Sequence, residues 1–248
     1  MVAVAQTKQQ EIVQERLPNG LRVVVAPMPW TRSVTVSIYV GAGSRYETPK
    51  INGVSHFLEH LFFGGTKRRP SSKEISEAIE GVGGYFNAYT SEDKTGFYAK
   101  VPAQHAERAF DVLSDMLTGS VFDPSKIDRE RGVVTEEINL YNDDPGKQIQ
   151  ELFPAVMWPD QPLGMTVLGP KEVIARLSRE EILAYIERQY RAENMVISVA
   201  GADGTSTTKG ETLQDTTRMV ASYSDAIVLL KKVRTHTHPH THTHTHTH

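Results

Sequence analysis

This 248-residue chain contains no cysteine, which excludes disulfides, thiolate metal ligands and thiol nucleophiles together. No apolar run approaches the roughly 18 residues needed to cross a bilayer. The opening MVAVAQTKQQEIVQERL lacks a basic stretch followed by an apolar one, so it does not read as a secretory signal. A cytoplasmic location is the expectation. Charge of one sign is also missing: 27 Lys and Arg against 30 Asp and Glu leave a net charge of −3. That balance gives no reason to expect a nucleic acid or a membrane surface as partner. Neither GGTKRRPSS nor EGVGG has the spaced glycines and Gly-Lys-Ser/Thr of a phosphate loop, and Lys67 to Arg69 read as a solvated basic turn. Histidine is scarce as well. Seven of the ten lie in the terminal THTHPHTHTHTHTH, which leaves three for the rest of the chain.

What is present fits a globular α+β domain. The 39% hydrophobic and 23% charged content is near ordinary globular composition. Leu21 to Met28 follows the turn signal LPNG, and Val34, Val36, Ile38 and Val40 alternate along SVTVSIYV, so both segments read as strands. NGVSHFLEHLFFGGT predicts a helix that opens after Asn52-Gly53 and stops at Gly64-Gly65. SSKEISEAIEGVGG predicts a short helix with a serine cap, and YFNAYTSEDKTGFYAKVP two strands about a polar turn. Further helices are expected over Ala106 to Leu117, from DPSK past RERGVVTEEINLYND, after Pro145, and over SREEILAYIERQY. NMVISVAG closes as a strand. Interspersed strands and helices with hairpin signals predict α+β, with helices packed on one face of a mainly antiparallel sheet. After Gly201 the apolar period is lost. Residues 1–201 are therefore expected to form the domain, and 202–248 a weakly structured, Thr- and His-rich tail.

The chemistry concentrates in GVSHFLEHLFFGGT. Four residues of helix advance about 400°, so His56 and His60 share one face, about one turn apart. Glu59 lies on a neighbouring part of the same surface. A catalytic zinc takes three protein ligands and leaves a position for water, whose pKa the metal lowers toward about 7. A nearby carboxylate can then accept its proton. His-x-x-Glu-His is the inverted form of the His-Glu-x-x-His motif. The bland alternative is a pair of core histidines beside an exposed glutamate, and a third ligand decides between the two. Cysteine is absent and His105 belongs to another helix, so the candidates are acidic residues of DRERGVVTEEINLYNDDP. Glu130 and Glu137 are seven apart and share a helix face, while Glu136 points about 100° away. Spacing alone leaves Glu136 and Glu137 both open.

HFLEHLFFGGT, GGYFNAYTSEDKTGFYAKVP, ERGVVTEEINLYNDDP and DQPLGMTVLGP, in this order and spacing, resemble the pitrilysin family of zinc metallopeptidases, which includes insulysin and the mitochondrial processing peptidases. The resemblance covers about Leu17 to Gly201 and corresponds to the first domain of the catalytic half. It implies one zinc ion held by His56, His60 and Glu137, with Glu59 as general base and Glu130 supporting the site from behind the ligands. It also implies that Asn87 and Ala88 line a substrate peptide added along an edge strand. The implied activity is hydrolysis of extended peptides with a homologous second half or dimer partner. That far half normally supplies an arginine and a tyrosine to the substrate, for which this chain has no counterpart. A truncated or non-catalytic subunit that binds peptide or partner without cleaving is the alternative. S-ribosylhomocysteine lyase, which shares His-x-x-Glu-His, is discarded because it relies on cysteines.

Overall fold

The computed structural model of the protein describes residues 12–202, so nearly all of the expected tail lies outside the described residues. Six strands form one sheet: β1 (Val13–Arg16), β2 (Arg22–Pro27), β3 (Ser33–Val40), β4 (Tyr85–Thr90), β5 (Thr95–Pro102) and β6 (Met195–Gly201). Their order is β1-β2-β6-β3-β5-β4. β2 and β6 run parallel, and the other four pairs are antiparallel.

The period of two along each strand decides which side is the core. Val34, Val36, Ile38 and Val40 of β3 are buried, and their partners Val199, Ile197 and Met195 of β6 and Val101, Ala99 and Phe97 of β5 are buried with them. Onto this face pack α1 (Val54–Phe62), α2 (Ser72–Glu80) and α3 (Ala106–Gly119). Behind or beside these lie α4 (Pro124–Asp143), α6 (Lys171–Arg176) and α7 (Arg179–Gln189). The intervening strand residues, among them Val24, Thr35, Ser198 and Ala200, point to the other face and stay partly open to solvent.

Local chemistry sets the helix ends. Ser71 accepts from the Glu74 amide while the Glu74 carboxylate accepts from the Ser71 amide, a reciprocal cap on α2. Asp123 accepts from the Ser125 amide at 2.9 Å, with Pro124 at the first helical position of α4. Asp144 and Pro145 then end α4 and start α5 (Pro145–Met157), which rests on α4 and on the 3-10 turn Pro162–Gly164.

Three features depart from the sequence expectations. β1 is an edge strand whose residues Gln14, Glu15 and Arg16 are exposed, so it pairs through its main chain and carries no apolar alternation. α6 is too short to show a helical period. Lys67 and Arg68 are exposed as a solvated turn requires, but Arg69 is not. Arg69 is largely covered and bonds Asp115 at 2.5 Å and also Asp111, while Arg68 takes the other Asp111 oxygen at 2.6 Å. Asp115 also accepts from the Thr66 hydroxyl at 2.7 Å. The run of basic residues thus ties the segment after α1 to α3.

Candidate metal centre

α1 buries Phe57, Leu58, Leu61 and Phe62 completely or nearly so, which fixes its rotation and directs His56 and His60 toward α4. α4 buries Val134 and Ile138. Arg131 locks its position: the guanidinium donates to the carbonyls of Ile174 and Leu177 at the end of α6 and sits 5.6 Å from the centre of the Phe57 ring. Between these anchors Glu137 faces α1.

The result is a close triad. Glu137 Oε2 lies 3.5 Å from His56 Nε2 and 3.3 Å from His60 Nε2. The two rings meet edge to face, 4.8 Å between centroids. One ligand atom from each of the three residues falls within 4.8 Å of the others. Around a tetrahedral zinc with bonds of about 2.0–2.1 Å, neighbouring ligand atoms stand about 3.4 Å apart. The two measured separations match that edge, so the donor set fits such an ion. Glu136 is exposed on another side of α4.

The electrostatics suit a cation. Burial pushes His56 down to about 4, reinforced by His60 and opposed by Glu137, so its imidazole is neutral with a lone pair to offer. Burial also works against charge on His60, but Glu137, Glu59 and Glu130 outweigh it and raise its pKa. The hydrogen bond with His60 holds Glu137 below the ordinary carboxylate value. Glu130 is 14% exposed, with one oxygen 4.0 Å from His60 Nδ1 and the other held by Arg129 at 2.8 Å. It thereby biases the ring behind the donor nitrogen.

Glu59 sits beside the triad, mostly buried, and burial raises its pKa. Its Oε2 accepts from the Thr90 hydroxyl at 2.7 Å, which leaves Oε1 to take up a proton. Sequence reasoning missed Thr90. The signal was its register: Phe86, Ala88 and Thr90 alternate on the helix side of β4, beneath α1.

Glu47 was also missed. α1 begins at Gly53, in the left-handed region at φ 92°, without a capping side chain of its own. The buried Glu47 carboxylate supplies the cap: it accepts from Gly53 N at 2.7 Å, Ser55 N at 2.8 Å and Asn52 Nδ2 at 2.8 Å. A negative group is favourable at that helix end. Asn52 Nδ2 also reaches the Thr166 carbonyl at 2.9 Å. A Cβ on Gly169 would stand 2.6 Å from the Gly53 Cα. Thus the PLGMTVLGP segment braces the start of the histidine helix, and a helix opening on glycine was the available clue.

Asn87 and Ala88 lie on β4, the end strand of the sheet among the described residues. Their side chains take opposite faces: Ala88 is buried against the helix layer and Asn87 is exposed. The Ser91 amide bonds the Lys94 carbonyl at 2.9 Å. That sets the parity of the hairpin and turns the main-chain groups of Phe86, Ala88 and Thr90 outward. The outward Ala88 amide donates to Asn87 Oδ1 at 2.9 Å.

A family model described as insulinase, peptidase family M16, matches residues 22–171. The chain belongs to that family. This M16 chain is 43% identical over 183 residues to YmxG, named an uncharacterized zinc protease, of Bacillus subtilis, covering 74% of this chain and 44% of that one. It is 43% identical over 187 residues to the mitochondrial-processing peptidase subunit beta of Saccharomyces cerevisiae, covering 75% and 40%. Its fold is similar to a protease from Helicobacter pylori, with a TM-score of 0.78 at 25% identity over 86% of this chain and 51% of that one. The chain spans less than half the length of these curated relatives. Among the described residues no helix is long and apolar enough to cross a membrane.

Proposed function

We propose that this M16 domain carries the zinc-binding and proton-transferring half of an endopeptidase that hydrolyses extended peptides. The observation that carries the reading is the match of the Glu137 to His56 and His60 separations to a tetrahedral edge, with a buried carboxylate beside them. His56, His60 and Glu137 would hold one zinc ion, and Glu130 would orient His60 from behind. Zinc bound there supplies Lewis acidity, polarising a scissile carbonyl and lowering the pKa of water.

The chain's own residues do the rest. Glu59, steadied by Thr90, accepts a proton from the attacking water at Oε1 and delivers it to the departing amine. The substrate pairs its main chain with the outward groups of Ala88 and its neighbours on β4, which gives sequence-tolerant binding. Asn87 releases the Ala88 amide as the substrate strand arrives. A homologous second half, from another chain or from further polypeptide, closes over the substrate. The names of the relatives support this, since several are named zinc proteases and several others subunits of a mitochondrial-processing peptidase.

The test is metal analysis together with cleavage of a quenched peptide, wild type against Glu59→Gln, with and without a candidate partner half. Both proteins should hold one zinc per chain, and cleavage should depend on Glu59. Stoichiometric zinc with no Glu59-dependent cleavage under either condition would favour the second reading, a subunit that binds peptide or partner without cutting.

A further inference from the structure

Tyr190 follows the last turn of α7 and fills the core beside α1. Its ring lies 5.3 Å from that of Phe62, and the residue is only 3% exposed. A buried phenol ordinarily finds a hydrogen-bond partner. The Tyr190 hydroxyl faces the Thr95 hydroxyl, but too loosely to close a full bond, and it has no other partner. Burial pushes its pKa well up, so it stands there as an O–H donor. Tyr185, on the same helix, shows the contrast, since its hydroxyl meets that of Ser55 at 2.7 Å.

Thr95 opens β5, is wholly buried, and pairs with Thr90 across the β4–β5 hairpin. Its hydroxyl donates to the Ala42 carbonyl at 2.9 Å and stands 3.5 Å from the Thr90 hydroxyl. Thr90 in turn donates to Glu59 Oε2 at 2.7 Å. Three hydroxyls therefore lead from the core to the carboxylate, in the order Tyr190, Thr95, Thr90. The row runs one way. An ionised carboxylate accepts and does not donate, so Thr90 gives its single proton to Glu59 and can only accept from Thr95. Thr95 then shares its proton between Ala42 and Thr90 as a three-centre bond. Its own oxygen stays open to the Tyr190 proton.

We propose that Tyr190 and Thr95 are positioning residues for peptide hydrolysis: Tyr190 donates to Thr95 and Thr95 to Thr90, which holds the Thr90 proton on Glu59. Hydroxyls in series polarise one another, so each donor strengthens the bond that follows it. A donor on the Thr90 oxygen also denies the Thr90 proton the alternative of turning back to Thr95. Glu59 Oε2 is kept occupied, and Oε1 remains the oxygen that meets the attacking water. Both residues act through Thr90, and the inference rests on the role proposed for Glu59.

Tyr190→Phe removes the hydroxyl and keeps the ring, and the zinc-loaded full chain gives two readouts. The first needs no turnover. In proton NMR at low temperature, the Thr90 hydroxyl proton is the signal that Thr90→Val deletes. It should move upfield in Tyr190→Phe, the direction of a weaker hydrogen bond. No such signal, or one that Tyr190→Phe leaves in place, would overturn the proposal. The second readout is cleavage of the quenched peptide with the candidate partner half. Tyr190→Phe should lower kcat about threefold with KM unchanged, and should do nothing further in a Thr90→Val background, where the row is already cut. Thr95→Val should lower kcat at least as much, and Thr95→Ser should restore it. The urea midpoint of Tyr190→Phe should not fall, because the lost donor was not fully satisfied. A lower midpoint with kcat unchanged, or equal kcat losses in both backgrounds, would assign the hydroxyl a packing role and overturn the proposal. If no preparation cleaves in a Glu59-dependent way, the proposed function fails, and the proton shift alone decides the row.

Discussion

Helices α1 and α5 are both amphipathic, and the surrounding fold treats them in opposite ways. α1 buries its apolar residues and turns its two histidines toward α4, where Glu137 meets them. α5 rests on α4 and the 3-10 turn but turns its apolar residues outward, and none of them is buried. The difference separates what this chain does alone from what it does with company. A metal pocket needs ligands from two helices held rigidly, and the chain supplies both helices, the cap and the braces. A covered α5 needs a surface that the described fold does not place there.

Truncating one aromatic on each helix sharpens the contrast most. Phe57→Ala removes a fully buried ring of α1 and should cost about 3–5 kcal/mol of unfolding free energy. Phe153→Ala on α5, where the ring is more than half exposed, should change it by less than about 0.5 kcal/mol. Urea denaturation of both variants checks this, and equal losses would break the comparison. Next in size is Glu47→Ala, which leaves the amides of Gly53 and Ser55 buried without an acceptor. Its expected cost is about 2–3 kcal/mol in the same experiment, and a change within error would mean that α1 does not depend on this cap.

A smaller effect is expected at Thr90. Thr90→Val keeps the shape and loses the donor to Glu59, so Glu59-dependent cleavage should fall about tenfold, the worth of roughly one hydrogen bond. It should do so in kcat with little change in KM. Thr90→Ser should restore most of it. A fall that serine does not rescue would point to packing of β4 instead.

Much of this was readable before any coordinates. The alternation of Val34 to Val40 gave the core strand, and the spacing of His56, Glu59 and His60 gave the helix face. Spacing could not choose between Glu136 and Glu137, because both lie on α4 and only the rotation of that helix separates them. That rotation is fixed by Val134, Ile138 and Arg131, contacts that arise from packing against α1 and α6. Thr90 and Glu47 were hidden for a similar reason. Thr90 looks like an ordinary strand residue and Glu47 like a loop acid, and each gains its role from a partner 31 or 6 residues away. The apolar repeat of α5 was visible in the sequence, but a repeat does not say whether the face it makes is covered.

The measurement closest to the central claim is the zinc content of purified chain after exhaustive dialysis, by mass spectrometry, for wild type, Glu137→Gln and Glu136→Gln. One ion per chain in wild type and Glu136→Gln, with none in Glu137→Gln, is the expected result. Zinc that survives Glu137→Gln and is lost with Glu136→Gln would contradict the ligand set read from α1 and α4.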